Sequence, residues 1–283
     1  MARPPAAAVF YALALGVSWG VWAPWVMSVQ GAPRPSPWHY LHLAGSIGPA
    51  VAALVVLRWT GGGERIRQLI RRTVTARAAL LALVWAILIP TALFVATAVF
   101  LGLASERPVA WNRIGVVPEY PGLGPAAYGL ASLVFYGFGE EVGWRGFLYP
   151  RLRERHRPLV ASLLVVPFWA FWHLPLFFAT ESYRAMGIGG AAGWLASLVS
   201  GSLLTAWLYD RARGSVLPAA VLHAVLDVFF LADVGVPIQS VLGAIVTVAG
   251  LVVAVGLFRH PAPKTPAPER GGAARTKERE PRA

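Results

Sequence analysis

The chain has 283 residues, 57% of them hydrophobic and 13% charged, with a formal net charge of +12. An ordinary soluble domain carries roughly 25% charged residues, so this composition excludes a simple water-soluble core and points to a bilayer as the solvent. Cysteine is absent, which removes disulfides, thiolate metal centres, iron–sulfur clusters and a cysteine nucleophile together. The arginines lie in short loops between apolar stretches and not on one polar face, so the positive charge argues for membrane topology and against nucleic-acid binding.

Eight apolar segments of spanning length follow one another: Ala6–Met27, Tyr40–Leu57, Ala79–Leu103, Gly124–Gly146, Leu159–Phe178, Gly190–Tyr209, Val216–Leu231 and Ile238–Phe258. The fold expected is an all-α integral membrane bundle of about eight transmembrane helices over residues 1–260. The first segment has no small-residue cleavage site after it and reads as a retained anchor. Trp19, Trp22, Trp25 and Trp38 fit an interfacial belt, and Trp22 and Trp25 fit helix packing equally well. No internal repeat stands out. Every second loop is rich in arginine: Arg58 to Arg77, Arg151 to Arg157, Arg211 with Arg213, and the tail after Arg259. The alternate loops carry few, and Arg107 and Arg113 are balanced there by Glu106 and Glu119. This alternation predicts a multi-pass protein of the cell membrane with both termini cytoplasmic. The tail at 261–283, rich in Pro, Gly, Ala and charge, reads as a disordered basic segment attracted to anionic lipid.

Ionisable residues inside spans are the informative signal, because each costs on the order of 3 kcal/mol at the bilayer centre on insertion scales. Here they gather in three segments: Glu140, Glu141 and Arg145 in the fourth, His173 in the fifth, and His223 with Asp227 in the seventh. Glu141 and Arg145, four apart with the acid first, share a helix face and suit an internal ion pair. Glu140 is turned by about 100° from Glu141, so it meets other neighbours and is left for chemistry. His223 and Asp227 are also four apart, as are Trp169 and His173. Taken singly, each histidine reads as a hydrogen-bonded core residue and the ion pair as structural glue. Taken together, two imidazoles and several carboxylates from three helices supply a base with imidazole helpers, or metal ligands. His39, His42, His156 and His260 lie at a span entrance, in a loop or at the tail, and read as interfacial or solvated.

The stretch Gly139-Glu-Glu-Val-Gly-Trp-Arg-Gly146 resembles the E-E-x-x-x-R signature of the CPBP (CAAX protease and bacteriocin-processing, or Abi) intramembrane proteases, related to the type II CAAX prenyl endopeptidases. Trp169 to His173 is similar to the second motif of that family, an aromatic residue four before a histidine. His223 to Asp227 is similar to the third, a histidine followed four later by Asn or Asp. The resemblance covers about 124–231, in the family's motif order. It implies an intramembrane endopeptidase with a cavity between helices four, five and seven, in which Glu140 is the general base. His173 and His223 would orient the water, Asp227 would stabilise the oxyanion or complete a ligand set, and Glu141, Arg145 and Trp169 would support the site. Glu140, His173 and His223 would give Zn(2+) a familiar ligand set, while a metal-free base-and-imidazole mechanism uses the same residues. The chain departs from the common Asn at position 227, and an ionised Asp cannot donate a hydrogen bond to an oxyanion.

The partners implied are membrane lipid and a peptide or protein substrate. Two rival readings use the same residues: a non-catalytic scaffold or bacteriocin-immunity protein of the same fold, and a transporter or proton relay. The motifs of other intramembrane proteases are missing: H-E-x-x-H, G-x-S-G and G-x-G-D do not occur.

Overall fold

The computed structural model of the chain describes residues 5–29, 37–74 and 79–259. The predicted tail at 261–283 lies outside them. Among the described residues all regular structure is helical. Helix α1 is Ala6–Ser28, α2 is Tyr40–Gly45, α3 is Gly48–Val74 and α4 is Leu80–Ala104. Helix α5 runs over 125–153, α6 is Pro158–Trp172, α7 is Ile188–Arg211, α8 is Leu217–Phe230 and α9 is Ile238–Arg259.

Six of the described segments are long and apolar enough to cross a membrane: Ala6–Ser28, Pro37–Thr73, Leu80–Ala104, Pro158–Ala179, Ile188–Arg211 and Ile238–Gly256. The other two expected spans exist as helices but differ in kind. Helix α5 carries the charges Glu140, Glu141 and Arg145, and α8 has 14 residues, about 21 Å of helix against a hydrocarbon core of about 30 Å. Both are the helices that carry the polar residues. The second expected span is itself divided, because α2 ends at Gly45 and α3 begins at Gly48; beyond that span α3 bends sharply at Gly62, where φ is 67°. Only glycine takes that conformation without a Cβ clash.

Proline sits inside α1, α4 and α6, at Pro24, Pro90 and Pro167. Membrane helices tolerate this because neighbouring groups re-satisfy the freed carbonyls. Lipid cannot drive helices together by the hydrophobic effect, so close approach depends on small residues. Gly143 of α5 lies against Pro49 of α3, where an added Cβ would stand 2.6 Å from the Pro49 carbonyl carbon. Gly139 meets Ser46 in the same way, its added Cβ 2.9 Å from the Ser46 carbonyl oxygen. These contacts hold the acidic stretch of α5 directly against the α2–α3 junction.

The large core combines Trp22, Trp25, Trp144, Trp169 and Trp172, each nearly or fully buried. Trp22 and Trp25 are therefore packing residues, while Trp38 is 48% exposed. The Trp172 indole donates to Ser18 Oγ at 2.8 Å and Ser18 donates to the Gly45 carbonyl at 2.7 Å, which ties α6, α1 and α2 together. At one end of the bundle Tyr149 donates to Asp210 at 2.8 Å, with Arg153 at 3.9 Å from the same carboxylate oxygen. At the other end Arg113 pairs with Asp233 at 2.8 Å.

Candidate active site

Helix α5 is not a uniform α-helix. Ser132–Phe138 and Trp144–Leu148 are π-helical and flank the α-helical turn Gly139–Gly143 that bears both glutamates. Wide turns of this kind are rare and concentrate at functional sites. Helix α8 packs directly on the first of them: Ser132 donates to the Ala224 carbonyl at 3.3 Å, and Gly137 abuts the Ala220 carbonyl. The residues of α8 that follow, His223 and Asp227, are thereby brought against the glutamates.

The sequence-predicted residues converge. Arg145 Nη1 donates to Glu141 Oε1 at 3.0 Å, with both side chains fully buried, as their spacing predicts. His223 Nδ1 stands 2.9 Å from the same oxygen. An ionised carboxylate only accepts, so Nδ1 carries the proton and Nε2 faces Asp227 Oδ2 at 3.6 Å. Glu140 is held separately. The indole N–H of Trp169 donates to Glu140 Oε2 at 2.7 Å, which leaves the second carboxylate oxygen for a water. The Arg145 guanidinium lies over the Trp169 ring at 4.7 Å, and His223 meets that ring edge-on at 5.6 Å. Trp169 thus joins the Glu140 and Glu141 halves of the site.

His173 caps the C-terminal end of α6. Its Nδ1 is 2.7 Å from the Trp169 carbonyl oxygen, an acceptor, so the proton again sits on Nδ1 and Nε2 is the basic nitrogen. Trp172, Trp194 and Tyr183 surround the ring with centroids at 4.9, 5.6 and 6.4 Å.

The division of labour read from helical geometry places Glu141 in the ion pair and Glu140 outside it, and the distances agree. Glu140, His173 and His223 each keep a further polar atom beside the hydrogen-bonded one, and a hydrogen bond on the other ring nitrogen is usual for an imidazole that holds a metal ion. Among the described residues no group of three His, Asp or Glu side chains stands ready to hold one.

The sequence reading missed a second polar cluster. His42, expected to be interfacial, stacks on Trp25 with centroids 5.1 Å apart. Its Nδ1 lies 3.1 Å from the Tyr120 hydroxyl and 3.2 Å from the Tyr136 hydroxyl, and the two hydroxyls are 2.8 Å apart. His39 is likewise buried. No local pattern reports such a cluster, because its members are 78 and 94 residues apart.

Residues 122–229 match the family of type II CAAX prenyl endopeptidases described as Rce1-like. A CAAX prenyl protease 2 of Methanococcus maripaludis is 29% identical over 92 residues, covering 31% of this chain and 34% of that protein. The match therefore spans about a third of the relative's length. The family match at 122–229 falls on the stretch that carries α5, α6, α7 and α8.

Proposed function

We propose, from the match of residues 122–229 to the Rce1-like family and from the site's geometry, that this multi-pass membrane protein is an intramembrane endopeptidase of the CPBP type that hydrolyses a peptide bond with a glutamate-activated water. The observation that carries this reading is the separation of the two glutamates. Glu141 binds Arg145 and His223, while Glu140 has one oxygen fixed by Trp169 and, among the described residues, no hydrogen bond on the other. A carboxylate fixed in this way is a positioned proton acceptor. Water gives a proton to Glu140 as its oxygen bonds to the carbonyl carbon. The tetrahedral adduct then expels the amine, which takes the proton from Glu140. His173 Nε2 and His223 Nε2 orient the water and the adduct.

Elemental analysis before and after chelation tests for bound zinc. The relative's name suggests a prenylated CAAX-type peptide as the first substrate to try, with the cell membrane as the location. The test is cleavage of a farnesylated CAAX-type reporter peptide, and of a library of unmodified peptides, by purified protein in lipid. Glu140→Gln, His173→Ala and His223→Ala should each abolish cleavage while leaving the amount of protein in the membrane normal. Full activity in all three variants sinks the proposal, and their disappearance from the membrane makes the residues structural.

A further inference from the structure

Helix α3 carries a basic face that the hydrolytic chemistry does not use. Over 58–73 it holds five arginines, Arg58, Arg65, Arg67, Arg71 and Arg72, against one acid, Glu64. The kink at Gly62 separates the apolar part of the helix from most of these arginines. Arg58 and Trp59 lie just before the kink, at the end of the apolar run.

A groove of about 650 Å³ on this helix is lined by Leu54, Val55, Arg58 and Trp59. Leu54 and Arg58 are four residues apart, as are Val55 and Trp59, so each apolar side chain sits one turn, about 6 Å, below a polar one. Val55 and Trp59 are 47% and 46% exposed, and Arg58 is exposed as well. This vertical order is that of a phospholipid: an acyl chain against Leu54 and Val55, the indole at the interface, and the guanidinium at the phosphate. Past the kink, Ile66 and Leu69 pack on the large core, while Arg67, Ile70 and Arg71 are exposed. Arg67 and Arg71 share a face. A helix with this basic, amphipathic pattern suits the surface of an anionic membrane. Arg67 pairs with Glu64 at 2.6 Å, but both side chains are exposed, and a pair of that kind contributes little, so a phosphate competes for the guanidinium.

We propose that this face of α3 is a docking site for an anionic phospholipid, whose acyl chain lies on Leu54 and Val55 and whose phosphate meets Arg58 and Arg67. Charge selects this occupant: a zwitterionic lipid brings its own cation to the arginines, and a soluble phosphate has no chain for the apolar end of the groove. The same helix touches the candidate active site on its inner side. A Cβ added to Gly146 would stand 2.8 Å from Leu69 Cδ1, and Gly146 follows Arg145 in the second π-helical turn of α5. A lipid seated on the outer face therefore steadies the helix that buttresses the buried Glu141–Arg145 pair. The binding itself does not depend on the endopeptidase reading.

The test uses the full chain, delipidated in a neutral detergent and titrated with phosphatidylglycerol or phosphatidylcholine. Bound lipid is counted by native mass spectrometry, and thermal melts are followed by tryptophan fluorescence. Phosphatidylglycerol should bind and raise the melting temperature, because a ligand of the folded state stabilises it, and phosphatidylcholine should do neither. Each arginine at an anionic surface contributes about fivefold in affinity, so Arg58→Gln with Arg67→Gln should weaken phosphatidylglycerol binding roughly 25-fold. Both side chains are exposed, so this variant should melt with the parent when no lipid is added. Arg155→Gln with Arg157→Gln, exposed in another arginine-rich loop, should leave the binding unchanged. Equal binding of the two lipids overturns the proposal, as does an equal loss in both double variants, which marks general charge attraction. An equal melting shift from glycerol phosphate alone assigns the arginines to a soluble phosphate, and displacement of the bound lipid by an acidic peptide assigns them to a substrate segment; either result also overturns it.

Discussion

Replacing Arg145 by leucine should destabilise the protein, and replacing Glu141 by leucine as well should reverse the loss without restoring activity. The ion pair is 3.0 Å long, with both side chains fully buried. Breaking such a pair from one side leaves an uncompensated charge and costs about 3–5 kcal/mol. His223 also binds Glu141 Oε1, at 2.9 Å, and keeps part of the compensation, so the lower figure applies. At about 2–4 °C per kcal/mol for a chain of this size, Arg145→Leu should lower the melting temperature in detergent by about 6–12 °C. Among the described residues Glu141 Oε2, Arg145 Nε and Arg145 Nη2 have no hydrogen-bond partner. A pair so incompletely satisfied gains little over apolar side chains, and the double leucine variant should melt within about 3 °C of the parent. It should still be inactive, because His223 loses the acceptor that fixes its Nδ1 proton. Thermal melts followed by tryptophan fluorescence, run beside peptide cleavage, read both quantities. A single Arg145→Leu variant as stable as the parent, or a double variant as unstable as the single, refutes this account of the pair.

Trp169→Phe keeps the ring but deletes the 2.7 Å bond to Glu140 Oε2; a hydrogen bond to a charged group contributes about 1.5–3 kcal/mol, so kcat/KM should fall roughly tenfold to a hundredfold. Unchanged steady-state kinetics would remove Trp169 from the supporting set. Gly143→Val should sharply reduce the folded protein recovered from membranes, since the new side chain must enter the Pro49 backbone and overpacking costs about 1–3 kcal/mol or more; normal yield and melting temperature would contradict the close α3–α5 contact. The chain has no cysteine, so single cysteines placed near each terminus report topology directly. Both should react with an impermeant thiol reagent only after the cells are opened, and labelling of intact cells would reverse the arginine-based orientation.

Much of the site was legible because its spacing is helical. Glu141 and Arg145, or His223 and Asp227, must lie on a common face whenever their segments are helices, and an ionisable group in an apolar run demands a partner. The structure supplies these partners and adds one that the spacing did not give: His223 Nδ1 bonds Glu141 across helices. The six strongly apolar spans were equally legible, since length and hydropathy are local properties. The two polar helices were less so. The π-helical turns of α5 lie where that helix packs on α2, α3 and α8, and α8 packs in turn on α4, α5 and α7, so their form is set among helices and not along one of them.

What the sequence determined by itself was therefore the solvent, the helical class and the identity of the polar residues, because composition and periodicity are fixed along the chain. Tertiary structure alone decided which indole holds which carboxylate, which proton each imidazole keeps, and that His42 joins Tyr120 and Tyr136. The physical reason is range. Those bonds join helices brought together by small-residue contacts and buried aromatic packing, and no window of neighbouring residues encodes the distance between them.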